Sequence, residues 1–144
     1  MHANDLIGTW SLESCIAKGA NGEQAFPFGE APRGLLTYTP GGYMSAVLMR
    51  SGRPCFASAD VRGGTPEEIK EAFEGFDAYA GRYEFNDSTG TVTHHADVAR
   101  FPNWEGTAQT RVAKLVAGQL HLDTLPMLAR GQTWTLSLVW ARQG

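Results

Sequence analysis

Cysteine is nearly missing from this chain, and its scarcity already removes several classes of protein. Cys15 and Cys55 stand alone, with no redox or metal-type spacing around either. That argues against a disulfide framework and a thiolate metal site, and predicts two free thiols. Charge is sparse as well: 19% of the residues are charged, and the balance is a net charge of -3. No basic block or stripe is present, which argues against nucleic acid or anionic lipid as a partner. No apolar run approaches the ~18 residues of a membrane-spanning helix. Met1 to Asp5 hold neither a basic cluster nor an apolar stretch, so no secretory signal is read there and a cytoplasmic location is expected. A phosphate-cradling glycine loop, a nucleophile elbow, a dinucleotide fingerprint and a zinc-type helix motif are all absent. The four histidines show no i,i+2 or i,i+4 pairing. Neither a metal nor a cofactor is therefore expected.

Turn formers are plentiful instead. Seventeen Gly and seven Pro in 144 residues fit many short strands joined by tight turns. Leu6 to Ala17 reads as a first strand, with Gly8, Trp10, Leu12 and Ser14 on one parity and Trp10 and Leu12 marking the buried side. Asn21-Gly22 then signals a hairpin into a short strand at Glu23 to Phe26. Thr39-Pro40-Gly41-Gly42 separates strands Gly34 to Thr39 and Tyr43 to Arg50, and Ser51 to Gly64 is irregular. Thr65-Pro66-Glu67-Glu68 is a capping box with proline at the first helical position. Ile69, Ala72, Phe73 and Phe76 then continue at helical spacing, predicting one helix down to about Ala78 that lies over an open end or along the side of the sheet. Strands resume at Tyr79 to Phe85, Thr91 to Ala99, Thr107 to Val116, Gln119 to Thr124 and Gln132 to Arg142. Short sequential connections favour an antiparallel meander, and so many strands favour closure. The expectation is an all-β, up-and-down barrel of about 8–10 strands with one short helix, forming one domain over residues 1–144.

The pieces Leu6-Ile7-Gly8-Thr9-Trp10, Gly34 to Ser45, Gly90 to His95, Pro102 to Thr107 with Gln109 and Arg111, and Val139-Trp140-Ala141-Arg142 together resemble the bacterial lipocalin-like domain family. The resemblance covers nearly the whole chain and implies a barrel with an internal cavity. It also implies that Trp10, in the first strand, packs against Arg142, in the last, a cation–π contact worth about 0.5–2 kcal/mol. The chain departs from secreted lipocalins in its lack of a disulfide pattern and in its mid-chain helix.

Candidate chemistry gathers on the later strands. His94 and His95 are adjacent, so on a strand they face opposite ways. His94 shares parity with Val92, Ala96 and Val98 and is the inward one, either as a hydrogen-bonded wall residue or as a ligand contact or general base. Lys114 must reach water, which turns Thr107, Gln109, Arg111, Ala113 and Leu115 inward. An inward Arg111 requires a carboxylate, carbonyls or an anionic ligand group, unless it sits at the rim and reaches solvent. Tyr38, Met44 and Tyr83 are core residues or pocket walls, and Trp104, on a loop, plugs a barrel end or covers a ligand. The reading that follows is binding of a small, apolar or amphipathic molecule by Tyr38, Met44, Tyr83, His94, Trp104, Gln109 and Arg111. The alternatives are a cofactor-free isomerase, cyclase or hydratase in the same cavity, or a structural module with a filled barrel. The sequence leaves a homodimer open.

Overall fold

Strand alternation, tight glycine turns and one capped helix produce a closed antiparallel barrel in the computed structural model, which describes residues 1–144. In chain order the elements are β1 (Gly8–Gly19), β2 (Gln24–Ala25), β3 (Arg33–Tyr38), β4 (Tyr43–Met49), α1 (Pro66–Glu74), β5 (Phe76–Asn86), β6 (Thr91–Ala96), β7 (Val98–Ala99), β8 (Thr107–Val116), β9 (Gln119–Thr124), β10 (Met127–Ala129) and β11 (Gln132–Arg142). Eight of them, β1, β3, β4, β5, β6, β8, β9 and β11, pair in that order, and β11 returns to β1. The short strands β2, β7 and β10 extend one end of this wall through β1, β5 and β11. Closure leaves no long edge open to another chain.

The base of the barrel is where the two ends of the chain meet. Trp10 lies opposite Arg142, is fully buried, and donates from Nε1 to the Leu6 carbonyl at 2.9 Å. The Arg142 guanidinium stands 4.1 Å over its ring and donates to the carbonyls of Ile7 and Asp5. Gly8, at φ +134°, has no room for a side chain, because a Cβ there would run into the Gly144 carbonyl and the Arg142 side chain. Leu6, Leu12, Leu36, Leu120 and Trp140 belong to the same buried core as Trp10.

Two bulges change the parity expected from the sequence. The β1–β11 register slips between Leu12 and Ser14, so the buried face continues through Cys15 and Ala17 rather than Ser14. A second slip falls at Asp97, between β6 and β7: Tyr83 pairs with His94, but Ala80 pairs with Val98. Val98, expected inward with His94, is therefore 61% exposed. Gly81 makes this slip sterically feasible, since a Cβ there would collide with the His95 carbonyl.

The helix begins as its capping box requires, with Thr65 Oγ1 accepting from Glu68 N and Glu68 Oε1 accepting from Thr65 N at 2.9 Å. It ends earlier than expected. Gly75 caps it, donating to the Glu71 carbonyl at 3.0 Å, and Phe76 already belongs to β5. Phe76 fits helical spacing and strand parity equally well, and pairing with Met49 on β4 decides the matter. No residue of α1 is fully buried; it lies over the end of the barrel, where Glu74 borders the interior. Both cysteines are free, Cys15 buried and Cys55 exposed. Burial pushes the Cys15 thiol up to about 12. No helix is long and apolar enough to cross a membrane.

Candidate ligand site inside the barrel

The barrel is not filled. Between its mouth and the Trp140 floor runs a cavity of about 360 Å³, within the usual range for small-molecule sites. Leu36, Ala46, Leu122, Leu138 and Trp140 make its deeper wall apolar, as inward strand positions on a closed barrel must. Its mouth lies at the end carrying α1, β2, β7 and β10, bordered by Met127, Trp134, Asp77 and Arg100.

His94, Tyr79 and Arg111 supply the polar part of the wall. His94 is 1% exposed and is held at both ring nitrogens: the Tyr38 hydroxyl is 2.6 Å from Nε2, and the Tyr79 hydroxyl 2.8 Å from Nδ1. Burial, then the nearby Arg111 and His95, push its pKa down to about 3, so the ring is neutral at pH 7. A neutral imidazole has one donor and one acceptor nitrogen, which forces a direction on the chain of hydrogen bonds. The Tyr38 hydroxyl, on a residue 1% exposed, has His94 as its one partner. If Nε2 carried the proton, the Tyr38 O–H would be buried with nothing to donate to, at a cost of about 1–3 kcal/mol. The satisfied arrangement is Tyr38 O–H donating to Nε2 and Nδ1–H donating to Tyr79 Oη. Tyr79 borders the cavity, so its own proton is left facing the interior. Burial raises the pKa of Tyr79, against the pull of Arg111, and its hydroxyl stays protonated.

Arg111 is 7% exposed and belongs to no ion pair in the molecule. One of its nitrogens donates to the Thr110 carbonyl at 3.2 Å, and the guanidinium also reaches the Tyr79 hydroxyl, so only the N–H groups that remain are available to the cavity. The nearest carboxylate region, at the mouth, is already engaged: Asp77 Oδ1 is 3.3 Å from Arg100 Nε. Arg100 in turn stacks 3.9 Å over the Phe73 ring and donates to the Phe73 carbonyl, tying α1 to the mouth. Burial raises the Asp77 carboxyl, while Arg100 and, less strongly, Arg111 pull it back.

The residues singled out in the sequence divide into three groups. His94, Arg111 and Trp104 line the cavity, with Trp104 edge-on to Tyr79 at 5.9 Å from within a short 3-10 turn, Pro102–Trp104. Tyr38 sits behind His94 and reaches the cavity only through it. Met44, Tyr83 and Gln109 stand outside the lining: Met44 is packed in the core, Tyr83 donates to the Thr39 carbonyl at 2.8 Å, and Gln109 donates to Thr107 Oγ1 at 2.9 Å. His95 faces the other way, with Nε2 3.3 Å from Glu84. Leu115, expected inward, lies near the end of β8 and is 38% exposed. Asp77, Arg100 and Trp140 are lining residues that the strand pattern does not single out, and Tyr79 is one that it places only among the tyrosines that form core or pocket wall. For Tyr79 a signal existed, since it shares inward parity with Tyr83 on one strand. No three His, Cys, Asp or Glu side chains converge, so no residue set is assigned to a metal.

An eight-stranded antiparallel barrel with an internal, mouth-accessible cavity is one of the architectures that can hold a single small ligand. Residues 7–143 match the family model described as the Lipocalin-like domain, and the chain belongs to that family. It is also 34% identical over 106 residues to a 4'-hydroxy-3'-methoxypropiophenone carrier protein of Aspergillus oryzae. That similarity covers 69% of this chain and 96% of the relative. Family and relative together support ligand binding in the barrel.

Proposed function

We propose that this protein binds and carries a small, largely apolar molecule in the barrel cavity, with an oxygen-bearing group of the ligand placed against Arg111 and Tyr79. The observation that carries the reading is Arg111: a buried guanidinium without a carboxylate partner, in a cavity whose deeper wall is mostly apolar and which is large enough for one aromatic ring and its substituents. A buried charge of this kind is costly unless something meets it, and a bound ligand's oxygen is what the site lacks. The relative named for an aryl ketone makes that class the first one to try. His94, itself part of the wall, acts through Tyr79 with Tyr38 behind it, and Trp104 closes on the ligand from the rim.

The test is a titration of the purified chain with a panel of substituted aryl ketones, read by quenching of tryptophan fluorescence and by calorimetry. Saturable one-to-one binding that Ala46→Phe blocks is the expected result, since a phenyl ring at Ala46 would occupy the cavity. Failure of the whole panel, or binding indifferent to Ala46→Phe, would sink the proposal.

A second reading, a cofactor-free isomerase, cyclase or hydratase, draws on the Tyr38–His94–Tyr79 chain, which could pass a proton to a bound substrate. Against it, an imidazole with a pKa of about 3 is a poor general base near neutral pH. Mass spectrometry of ligands recovered after long incubation separates the two readings: unaltered ligand supports the carrier, and a ligand rearranged without change in mass or altered by one water supports the enzyme.

A further inference from the structure

The polar groups of the inner cavity are weighted toward donors. Arg111 contributes donors only. Tyr79 has its hydroxyl proton free for the interior, because its oxygen takes the Nδ1–H of His94. Trp140, 2% exposed, lines the floor with its ring, and its indole N–H, which has no partner, is itself enclosed by protein rather than presented to the cavity. The other inward hydroxyl, Thr124 Oγ1, already accepts from Leu136 N at 2.9 Å. The acceptor capacity left on the inner wall lies in the remaining lone pairs of the Tyr79 and Thr124 hydroxyls. The charges around it come from four elements or loops. Glu74 at the end of α1 and Asp77 on β5 are at the mouth, the second paired with Arg100, which follows β7. Arg130, after β10, is exposed at the same rim. Inside the mouth Arg111 is the one formal charge, with His94 neutral beside it.

We propose that the cavity takes its ligand as an oxyanion: a planar, apolar molecule with an acidic oxygen, held deprotonated between the Arg111 guanidinium and the Tyr79 hydroxyl. This rests on the cavity being a ligand site and goes further, by fixing the ionisation state of what it holds. A neutral alcohol can accept from the same donors through its oxygen, but it leaves the Arg111 charge unmet, and a protonated amine would place a second positive charge beside it. An anion meets two or three donors and the uncompensated charge at once. His94 is a positioning residue here, since it touches the ligand's oxygen only through the direction it imposes on the Tyr79 proton.

A matched pair of probes tests this on the full chain: 4-nitrophenol, whose anion absorbs visible light, and 4-nitroanisole, which has the same ring and no ionisable proton. Binding is followed by tryptophan quenching across a pH series, and the ionisation of bound nitrophenol by its absorbance. Bound nitrophenol should ionise about one pH unit or more below the free compound, equivalent to about a tenfold preference for the anion. The phenolate should likewise bind about tenfold more tightly than the anisole. In Arg111→Met the two affinities should become nearly equal and the ionisation shift should vanish; Arg111→Gln gives the same reading if the Met variant fails to fold. Tyr79→Phe and His94→Asn should each remove part of the shift, a change that a merely structural role would not produce. 4-Nitrobenzoate, as a third probe, separates a carboxylate from a phenolate ligand, and tighter binding of either anion than of the anisole supports the proposal. If the anisole or the aryl ketones bind but neither anion is preferred, the oxyanion is overturned and the carrier reading stands. If no probe and no ketone binds, both fall. A shift that survives Arg111→Met overturns the proposal too.

Discussion

His94 commits both ring nitrogens to tyrosine hydroxyls, so a second ring proton would have to displace the hydrogen bond at Nε2. Its pKa, lowered by burial and then by Arg111 to about 3 from 6.5, has a consequence for stability. Between those two values the unfolded chain binds a proton that the folded chain refuses, so stability rises with pH there. The contribution is complete above pH 6.5 and is lost as pH falls toward 3, by several kcal/mol in all on an order-of-magnitude basis. Urea midpoints taken across this range should fall with acidification in the wild type and fall less steeply in His94→Gln, which cannot be protonated. Equal slopes would mean that other groups dominate the acid response. Arg111 makes the complementary case. Removing an unpaired buried charge from an apolar cavity relieves its desolvation, so Arg111→Met should unfold at higher urea, by about 1 kcal/mol or more, while losing affinity for acceptor ligands. A variant less stable than the wild type would show that Arg111 is satisfied within the protein after all.

The elements differ in how far the amino-acid sequence reveals them, and the difference has a physical basis. Thr39-Pro40-Gly41-Gly42, the Thr65 capping box, and β9 and β11 at Gln119–Thr124 and Gln132–Arg142 all follow from local signals, because turn and cap geometry is set within four residues. The bulges at Glu13 and Asp97 were not visible in this way: each is a slip between strands far apart in sequence, and nothing at Glu13 itself announces it. Strand parity turned His94 and Arg111 inward correctly. Depth along the barrel axis, which decides that Tyr79 borders the cavity while Tyr83 and Met44 do not, depends on strand stagger and lies beyond parity. The helix is held by its own cap and by a few hydrogen bonds from its surroundings, from Arg100 to the Phe73 carbonyl, Arg53 to the Ala72 carbonyl and Ala57 N to Glu68, while Ile69 and Phe73 remain about half exposed. Its opening should therefore be local. Thr65→Ala should cost α1 about 1 kcal/mol and speed amide exchange over Pro66–Glu74, with exchange in β6, β8 and β9 unchanged. Slower or equal exchange in α1, or faster exchange throughout the barrel, would contradict this view of the helix as an add-on to the mouth.

At the scale of the whole barrel, closure and cavity occupy opposite ends of one cylinder. Trp10 and Arg142 join β1 to β11 at the base, and neither lines the cavity, whose polar wall is carried by β5, β6 and β8. Trp10 is completely buried, so Trp10→Ala should cost about 3–5 kcal/mol through lost packing and the void left behind. Arg142 is more exposed, and its two bonds to the Ile7 and Asp5 carbonyls with the stacking on Trp10 should be worth about 1–2 kcal/mol together. The decisive variant is Arg142→Met, because it weakens closure without emptying the core. Its urea midpoint should drop, while the affinity for an aryl ketone or nitrophenolate, measured well below the unfolding transition, should stay within about twofold of the wild type. The converse pair sharpens the comparison: Arg111→Met should lose affinity and keep or gain stability. A fall in affinity with Arg142→Met as large as its fall in stability would show that the base of the barrel transmits strain to the cavity, and that the wall strands are not rigid enough to keep the two ends independent.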